Sequence, residues 1–281
     1  MKIKIIADST CDLSAAQLAE HDISLYALTV VKDGEAFRDN VTITPADIFA
    51  HVAAGGSLCS TSAGPFVEYQ ELFAQYAGEY DGVLHISLGS GFSSSYQNAC
   101  LAAAEFDNVM VVDSMNLSTG QGHVVLKAAE LAKTATSLKE LHEQVQAYAP
   151  RVEASFVLDR LEYMVKGGRC SAAAALGANL LALKPCIEVK DGKMGVVKKY
   201  RGNYAKCLGN YVKDRLDGRE DIVKDLIFIT YTHGTDPFVP AVREAVEQYG
   251  SGFEHIEQTV AGCTISCHCG PNTLGILFVR K

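Results

Sequence analysis

Apolar runs and polar turns alternate along the first half of the chain. Runs with the length and composition of buried strands span residues 2–7, 23–31, 83–88 and 109–112, and helical patterns span residues 66–76, 118–133 and 137–149. Strands that alternate with helices predict a parallel sheet with helices on both faces. Such sheets bind their ligands at the carboxyl ends of the strands.

Three short signals mark boundaries within this pattern. They are a capping box formed by Ser14 and Gln17, an Asp33-Gly34 hairpin turn, and Thr44 followed by Pro45 at a helix start. No internal repeat, low-complexity tract or long linker interrupts the pattern.

Residues 83–101 combine a strand, a glycine turn that contains Gly91, and an alanine-rich helix. The first turn of that helix has backbone N–H groups without intrahelical partners and a partial positive charge. It is also predicted to offer the hydroxyls of Ser93, Ser94 and Ser95, which favours an anionic or strongly hydrogen-bonding head group. A second hydroxyl-rich loop, residues 60–65, precedes a helix and is the second candidate site.

The pattern changes near Pro150, where we place a boundary between domains of residues 1–152 and 153–281. The second part has a glycine turn at Gly167-Gly168. Its predicted elements are an apolar helix over residues 172–183, a hairpin of residues 186–189 and 194–197 turned at Asp191-Gly192, helices over residues 204–216 and 238–249, and strands over residues 156–158, 226–230, 253–259 and 274–279.

Composition narrows the class of protein. The chain has 281 residues, 48% of them hydrophobic, and a formal net charge of -8 at pH 7. This charge argues against nucleic-acid binding, because a phosphate backbone is met by a basic face. Nine cysteines, an odd number, and no cleavable hydrophobic leader predict free thiols in a reducing cytoplasm. No apolar run approaches the roughly 18 to 20 residues that cross a bilayer, so we expect no membrane-spanning segment.

The glycine turn departs from the motifs of nucleotide-binding and hydrolytic enzymes. A dinucleotide-binding site requires the motif G-x-G-x-x-G, but Ser94 occupies the position of the last glycine. A P-loop is also absent from the sequence, since no lysine of that motif follows any glycine turn. A serine hydrolase typically has the motif G-x-S-x-G, but in the segment that starts at Gly91 the last position is Ser95 and not glycine. Ser93 is therefore predicted to be a hydrogen-bond donor. A nucleotide-dependent or hydrolytic enzyme that uses this loop is the alternative.

Four potential metal ligands lie within seven residues, namely Cys263, Cys267, His268 and Cys269. If residues 267–269 are extended, the two thiols point to one face and the imidazole to the other, which does not suit a single ion. We predict that the cysteines are small apolar core residues and leave a redox role open. His268 lies beside a predicted turn at Gly270-Pro271, and a lone histidine at a turn is more often structural than functional.

Seven motifs follow one another along the chain. They are Ala7-Asp8-Ser9-Thr10-Cys11-Asp12, Thr61-Ser62 ahead of Pro65, Leu88-Gly89-Ser90-Gly91-Phe92-Ser93, Val112-Asp113-Ser114, Leu161-Glu162-Tyr163 with Gly167-Gly168-Arg169, Leu183-Lys184-Pro185, and His268-Cys269-Gly270-Pro271. In this order and spacing the chain resembles the DegV family, the bacterial fatty-acid-binding proteins that serve as acyl carriers for fatty acid kinase. The resemblance covers essentially the whole chain.

The resemblance implies an α/β fold of two domains with a long-chain fatty acid in the tunnel between them. A parallel-sheet α/β domain is followed by an α+β domain with a mostly antiparallel sheet. The carboxylate would be bound by Thr61, Ser93 and His268. Further head-group or loop candidates are Ser62, Ser94, Ser95 and Gly91.

The same resemblance implies that this chain catalyses no reaction itself. It would need no cofactor or metal, and would present the acid to a separate fatty acid kinase, in lipid transport and fatty acid metabolism. A transient contact with a membrane surface fits that role.

The segment from Arg160 to Lys206 is basic. It carries ten Lys and Arg against three Asp and Glu, a net charge of +7, which leaves -15 for the remainder. The hypothesis is that five residues flank the tunnel mouth and dock the kinase, namely Lys166, Arg169, Lys198, Lys199 and Arg201. The alternative is a solvated basic face that serves only solubility.

Overall fold

The computed structural model describes residues 1–175 and 183–281. In chain order the elements are β1 (Ile3–Asp8), α1 (Ala15–Glu20), β2 (Ile23–Tyr26), β3 (Thr29–Lys32), β4 (Glu35–Arg38), α2 (Pro45–Ala53), β5 (Ser60–Ser62), α3 (Phe66–Ala77), β6 (Gly82–Ser87), α4 (Ser95–Ala103), β7 (Val109–Asp113), α5 (Ser118–Ala132), α6 (Leu138–Tyr148), β8 (Val152–Val157), α7 (Leu161–Gly167), α8 (Ser171–Ala174), β9 (Leu183–Lys190), β10 (Lys193–Arg201), α9 (Tyr204–Leu216), β11 (Leu226–Tyr231), α10 (Val239–Tyr249), β12 (His255–Val260), α11 (Cys263–Cys269) and β13 (Leu274–Val279). Among these residues, no helix has both the length and the apolar character needed to cross a lipid bilayer.

A four-stranded parallel sheet forms the centre of the first half, as predicted. Its strand order is β2-β1-β6-β7, so the order reverses between β1 and β6. Helices α3 to α6 all pack against β6, and every residue of that strand is buried, which explains its continuous apolar run. The reversal point between β1 and β6 is where sheets of this kind bind ligands.

A six-stranded mixed sheet forms the second half, in the order β10-β9-β8-β13-β11-β12. The β11–β12 pair is parallel, and the other four neighbouring pairs are antiparallel. Phe228 and Leu277 face the first half, whereas Ile227 and Phe278 pack with residues of α9 and α10. The predicted fold class is therefore confirmed. The residue at which one domain gives way to the next stays a prediction.

Helix α5 lies between the two sheets and joins their cores. It packs against β1 and β6 on one side and against β8, β11 and β13 on the other. Its first eight residues, 118–125, are all buried. His123 donates from Nε2 to the carbonyl of Leu277 at 3.0 Å. The start of α5 is thus fixed between the two halves of the molecule.

The single strand predicted for residues 23–31 is two strands in different sheets. β2 pairs with β1, whereas β3 lies between β4 and β5 in a small antiparallel sheet. Tyr26 and Leu28 are both buried, so the apolar run continues through the break and hides it. The Leu28 N–H, at the break, donates to Ser9 Oγ at 3.2 Å.

Two further predictions change. Leu183, predicted to end a helix over residues 172–183, instead begins β9 and pairs with Arg201; a short apolar run does not distinguish helix from strand. Of that predicted helix, residues 176–182 lie outside the described residues. The extended conformation considered for residues 267–269 is also wrong, because they end α11. That helix starts on buried carboxyl groups from the first half, which no local pattern reveals.

Candidate functional site

A pocket with a cavity volume of about 50 Å³ lies at the reversal point of the parallel sheet, against the second half of the chain. Its apolar wall includes Leu28, Leu88, Phe92, Leu117, Met164, Met194 and Ile265. Its polar side chains are Thr61, Ser62, Ser93, Arg169, Thr264 and His268. An apolar wall with a few polar groups is typical of a small-molecule site.

Thr61 and His268 meet at this cavity from opposite halves of the chain. Thr61 stands in β5, opposite Val30 of β3, so a sheet holds it where a loop was predicted. Its Oγ1 lies 2.8 Å from His268 Nε2, across 207 positions of sequence. On the other side of the imidazole, a Cβ at Gly167 would lie 2.3 Å from Nδ1. The ring therefore has no room to move toward α7.

The loop after β6 places Ser93 on the cavity wall. α4 begins at Ser95, so Ser93 and Ser94 precede the helix instead of forming its first turn. The Ser95 N–H donates to Ser93 Oγ at 3.1 Å, and the two hydroxyls lie 2.9 Å apart. The Gly64 N–H donates to the same Ser95 hydroxyl at 3.2 Å. Ser95, fully buried, thus links the two hydroxyl-rich loops and supports Ser93.

The other predicted head-group candidates differ in position. Ser62 is exposed and lines the cavity, whereas Ser94 is exposed and is not part of the lining. Gly91 is also outside the lining, but a Cβ there would lie 2.1 Å from the carbonyl oxygen of Gly192. Gly91 therefore allows the β9–β10 turn to pack on the Ser93 loop.

The buried carboxylate of Asp8 fixes the beginning of that loop. Its Oδ1 accepts a hydrogen bond from Tyr69, and its Oδ2 accepts from Ser87 Oγ at 2.9 Å and Leu88 N–H at 2.7 Å. Burial alone would raise the pKa of Asp8, but His85, with Nε2 3.2 Å from Oδ1, and these hydrogen bonds hold it below its ordinary value. The carboxylate is therefore ionised and keeps Leu88 in place.

His268 is neutral at neutral pH, and the positive charge of the cavity comes from Arg169. Burial, together with the nearby guanidinium, lowers the pKa of His268 to about 4. Its Nδ1 is buried without a hydrogen-bond partner among the described residues. Arg169 donates to the carbonyls of Gly167 at 2.7 Å and Phe92 at 3.4 Å, and is the one charged residue in the described lining. These groups can bind an anion without any acidic residue facing it.

A second cavity, of about 30 Å³, adjoins the first. The two share Leu117, Ile265 and Cys269 as lining residues. Beyond them, the second cavity is lined by Phe156 and Leu277 and by several threonines. An elongated apolar ligand in the first cavity would be directed toward the second.

The five basic residues predicted to dock a partner are spread over two faces. Arg169 lines the cavity, and Lys166, Lys199 and Arg201 are exposed outside the lining. Lys198 lies 2.5 Å from the carboxylate of Asp214 on α9, which packs on the sheet face away from the cavity. Because the register of β10 shifts between Val196 and Lys198, Lys198 faces α9 and not the cavity. The docking role of these residues stays a prediction.

Sequence reasoning missed several contributors to the site. Arg169 is not one of these: it was predicted to flank the tunnel mouth and it lines the cavity, while its docking role stays a prediction. Met164 and Met194 line the wall from α7 and β10, and nothing in their local sequence indicates it.

Residues 2–281 match the family model described as "Uncharacterised protein, DegV family". The chain belongs to the DegV family. Two DegV domain-containing relatives are similar along their whole length: that of Clostridium acetobutylicum is 31% identical and that of Clostridium perfringens 29%. Each alignment covers 100% of this chain and 99% of the relative. The family resemblance of the motifs is confirmed.

Solved DegV structures share this fold. The fatty-acid-binding DegV family protein from Thermus thermophilus has a TM-score of 0.89 and 29% identity, and DegV, a fatty acid binding protein from Bacillus subtilis, has 0.80 and 26%; both comparisons cover 100% of each chain. A Thermotoga maritima protein with a fatty acid binding function has a TM-score of 0.81 and 25% identity over 99% of each chain. Fatty acid binding is therefore a property of these DegV relatives.

Proposed function

We propose that this DegV protein binds a long-chain fatty acid and presents its carboxylate to a separate fatty acid kinase, which performs the chemistry. The observation that carries the proposal is the Thr61–His268 pair on the wall of an apolar cavity between the two halves. The fatty acid binding of the DegV relatives supports it. In this proposal the chain is a carrier without a cofactor, acting in the cytoplasm in lipid transport and fatty acid metabolism.

The carboxylate is placed at Thr61, Ser93 and His268. With the imidazole proton on Nε2, His268 donates to Thr61 Oγ1, which leaves the Thr61 hydroxyl proton for the ligand. Ser93 Oγ accepts the Ser95 N–H and can direct its own proton to the ligand. A buried carboxylate needs hydrogen bonds or a counter-charge, and Arg169 supplies the charge.

The acyl tail supplies most of the affinity, whereas the head group sets the orientation. Burying about fifteen methylenes at roughly 0.8 kcal/mol each gives at most about 12 kcal/mol before the costs of association. Each net hydrogen bond to the head adds only about 1 to 3 kcal/mol. The tail is placed past Leu117 and Ile265, toward the second cavity.

The kinase is placed on the basic segment beside the cavity. Lys166, Lys199 and Arg201 are exposed and would steer the carrier onto an acidic partner, because complementary charge raises association rates. Arg169, inside the lining, would neutralise a developing acyl phosphate. The hydrolytic alternative gains no support, since the described hydrogen-bond partner of the Ser93 hydroxyl is Ser95 and not an imidazole.

The test is organic extraction of the purified protein followed by mass spectrometry, then titration of the delipidated protein with palmitate and with ATP. We expect long-chain fatty acids in the extract and palmitate binding without ATP binding. A lipid-free protein that ignores added palmitate and oleate but binds the nucleotide would contradict the proposal and favour an enzyme.

A further inference from the structure

Helix α11, which carries the histidine of the site, begins on the carboxyl groups of two aspartates from the first half of the chain. The Gly262 N–H donates to Asp12 Oδ1 at 2.9 Å. The N–H groups of Cys263 and Thr264 donate to Asp39 Oδ1 and Oδ2 at 2.8 and 3.3 Å. The first N–H groups of a helix have no intrahelical partner. Here their acceptors lie 224 to 250 positions away in sequence.

Both carboxyl groups are themselves held in place by burial and hydrogen bonds. Asp12 is 7% exposed and Asp39 is 2% exposed. Asp39 Oδ2 accepts a hydrogen bond from Ser9 Oγ at 2.9 Å. Asp12 Oδ2 accepts one from Ser118 Oγ at 2.6 Å, and Ser118 is the first residue of α5. Asp12 thereby ties together the starts of α5 and α11; α11 lines both cavities, and so does Leu117, the residue directly before α5.

The fit around this junction is close. A Cβ at Gly262 would lie 3.0 Å from Asp12 Oδ1 and 3.2 Å from Asp39 Oδ1. It would also lie 2.7 Å from Asn40 Nδ2. The backbone of α11 therefore meets the first half directly, without an intervening side chain.

We propose that Asp12 and Asp39 are positioning residues for the head-group site, because they anchor α11 so that His268 reaches Thr61. The imidazole follows Gly262 by six residues, about 9 Å along the axis at roughly 1.5 Å per residue. A shift at the start of so short a helix is carried to its end. This inference rests on the proposed function, since head-group binding is its main readout.

The experiment measures palmitate affinity by calorimetry for Asp39→Ala and Asp12→Ala, each in the wild-type and the His268→Ala background. Because the anchor acts through the imidazole, we expect about a tenfold loss in the wild-type background and less than about a twofold loss beside His268→Ala. Equal losses in both backgrounds, or no loss in either, would overturn the proposal.

Conservative variants keep the test informative if an alanine variant does not fold. Asp12→Asn retains an acceptor oxygen for the Gly262 N–H, so we expect palmitate affinity within about threefold of wild type. Asp39→Asn loses one of the two oxygens that accept N–H groups of α11, so we expect its affinity to fall by more than about threefold. The matched control is Asp47→Ala. Asp47 is a first-turn carboxylate of α2 that accepts the Thr44 N–H at 2.8 Å and lies outside the cavity lining, so its loss should leave affinity unchanged.

Nuclear magnetic resonance separates failure of the anchor from failure of the proposed function. The ¹⁵N shift of His268 Nε2 reports its hydrogen bond to Thr61 in the free protein. We expect that shift to move in Asp39→Ala, or in Asp39→Asn if the alanine variant is unfolded, and to stay in Asp47→Ala. If the wild type binds no palmitate but this shift moves, the proposed function fails and the anchor stands. An unmoved shift overturns the anchor.

Discussion

The head-group site has two walls, which are held in different ways. The hydroxyl wall carries Thr61 and Ser93, and the histidine wall is α11 with His268. On the hydroxyl wall, Ser95 contacts Ser93 two positions away and Gly64 31 positions away, so nearby segments brace each other. On the histidine wall, α11 is held by Asp12 and Asp39, which are 224 to 250 positions away. The first half therefore builds one wall from its own loops and holds the other wall in place.

This difference predicts two kinds of substitution effect. A change on the hydroxyl wall removes one donor and leaves its neighbours braced. A change on the histidine wall moves a whole helix end, because the imidazole is fixed between Thr61 and Gly167. A substitution that displaces His268 should therefore lower palmitate affinity more than the removal of one hydroxyl donor from the hydroxyl wall.

The largest expected effect comes from Gly167→Ala. The new methyl group would lie 2.3 Å from His268 Nδ1 and must displace the ring or α7. We expect palmitate affinity to fall by about tenfold or more, equivalent to at least about 1.4 kcal/mol. Gly209→Ala on α9 is the matched control, since a Cβ there meets no atom of the described residues within 4 Å. Equal affinity of the two variants would refute the account of the histidine wall.

Single donors on the hydroxyl wall come next. Thr61→Ala and Ser93→Ala each remove one of several hydrogen bonds to a buried carboxylate, so we expect a loss of binding free energy of about 1 kcal/mol, the lower end of the range for such a bond. Affinity for palmitate, measured by calorimetry, should fall while the melting temperature stays near that of the wild type. Ser94→Ala, at an exposed position outside the lining, should behave like wild type. If the double variant also binds like wild type, the head group lies elsewhere.

A smaller effect concerns pH. Burial and Arg169 lower the pKa of His268 to about 4, below its ordinary value of 6.5. His268 is therefore protonated near pH 6.5 in the unfolded chain but only near pH 4 in the folded protein. As pH falls through that window, the free energy of unfolding of the wild type should drop relative to His268→Gln. Urea unfolding at several pH values measures this, and parallel curves would show an ordinary pKa.

The smallest expected effect on binding comes from the exposed basic residues. Lys199→Glu combined with Arg201→Glu should leave palmitate affinity unchanged, because neither residue lines the cavity. Kinase-coupled turnover should fall, and the fall should be largest at low salt. Salt screens exposed charges, with a Debye length of about 8 Å at physiological ionic strength. Lys139→Glu on α6 is the control, being exposed and outside the cavity lining. Unchanged turnover at low salt would remove this segment as the docking face.

The hydroxyl wall could be predicted from the sequence because its determinants are local. A buried apolar run, a glycine turn and a helix in succession fix β6, its loop and α4, and so place Ser93 at the carboxyl end of a parallel strand. The capping box at Ser14 and the helix start at Thr44 and Pro45 are found as predicted. In each case the partners lie close enough in sequence for spacing alone to indicate them.

The histidine wall could not be predicted in this way. Residues 263–269 have no helical pattern strong enough to override an extended alternative, and the helix depends on acceptors from Asp12 and Asp39. The family resemblance pointed to His268 but not to its contact with Thr61. The break between β2 and β3 was hidden for a similar reason, since burial on both sides of it continues the apolar run.

A crystal structure of the palmitate complex would locate the carboxylate and the tail directly. We expect carboxylate oxygens within about 3.2 Å of Thr61 Oγ1 and Ser93 Oγ, a normal hydrogen-bond distance. We also expect His268 beside Thr61 and a tail that passes Leu117 toward the second cavity. A carboxylate among the threonines of the second cavity, with the tail pointing toward Arg169, would contradict the account.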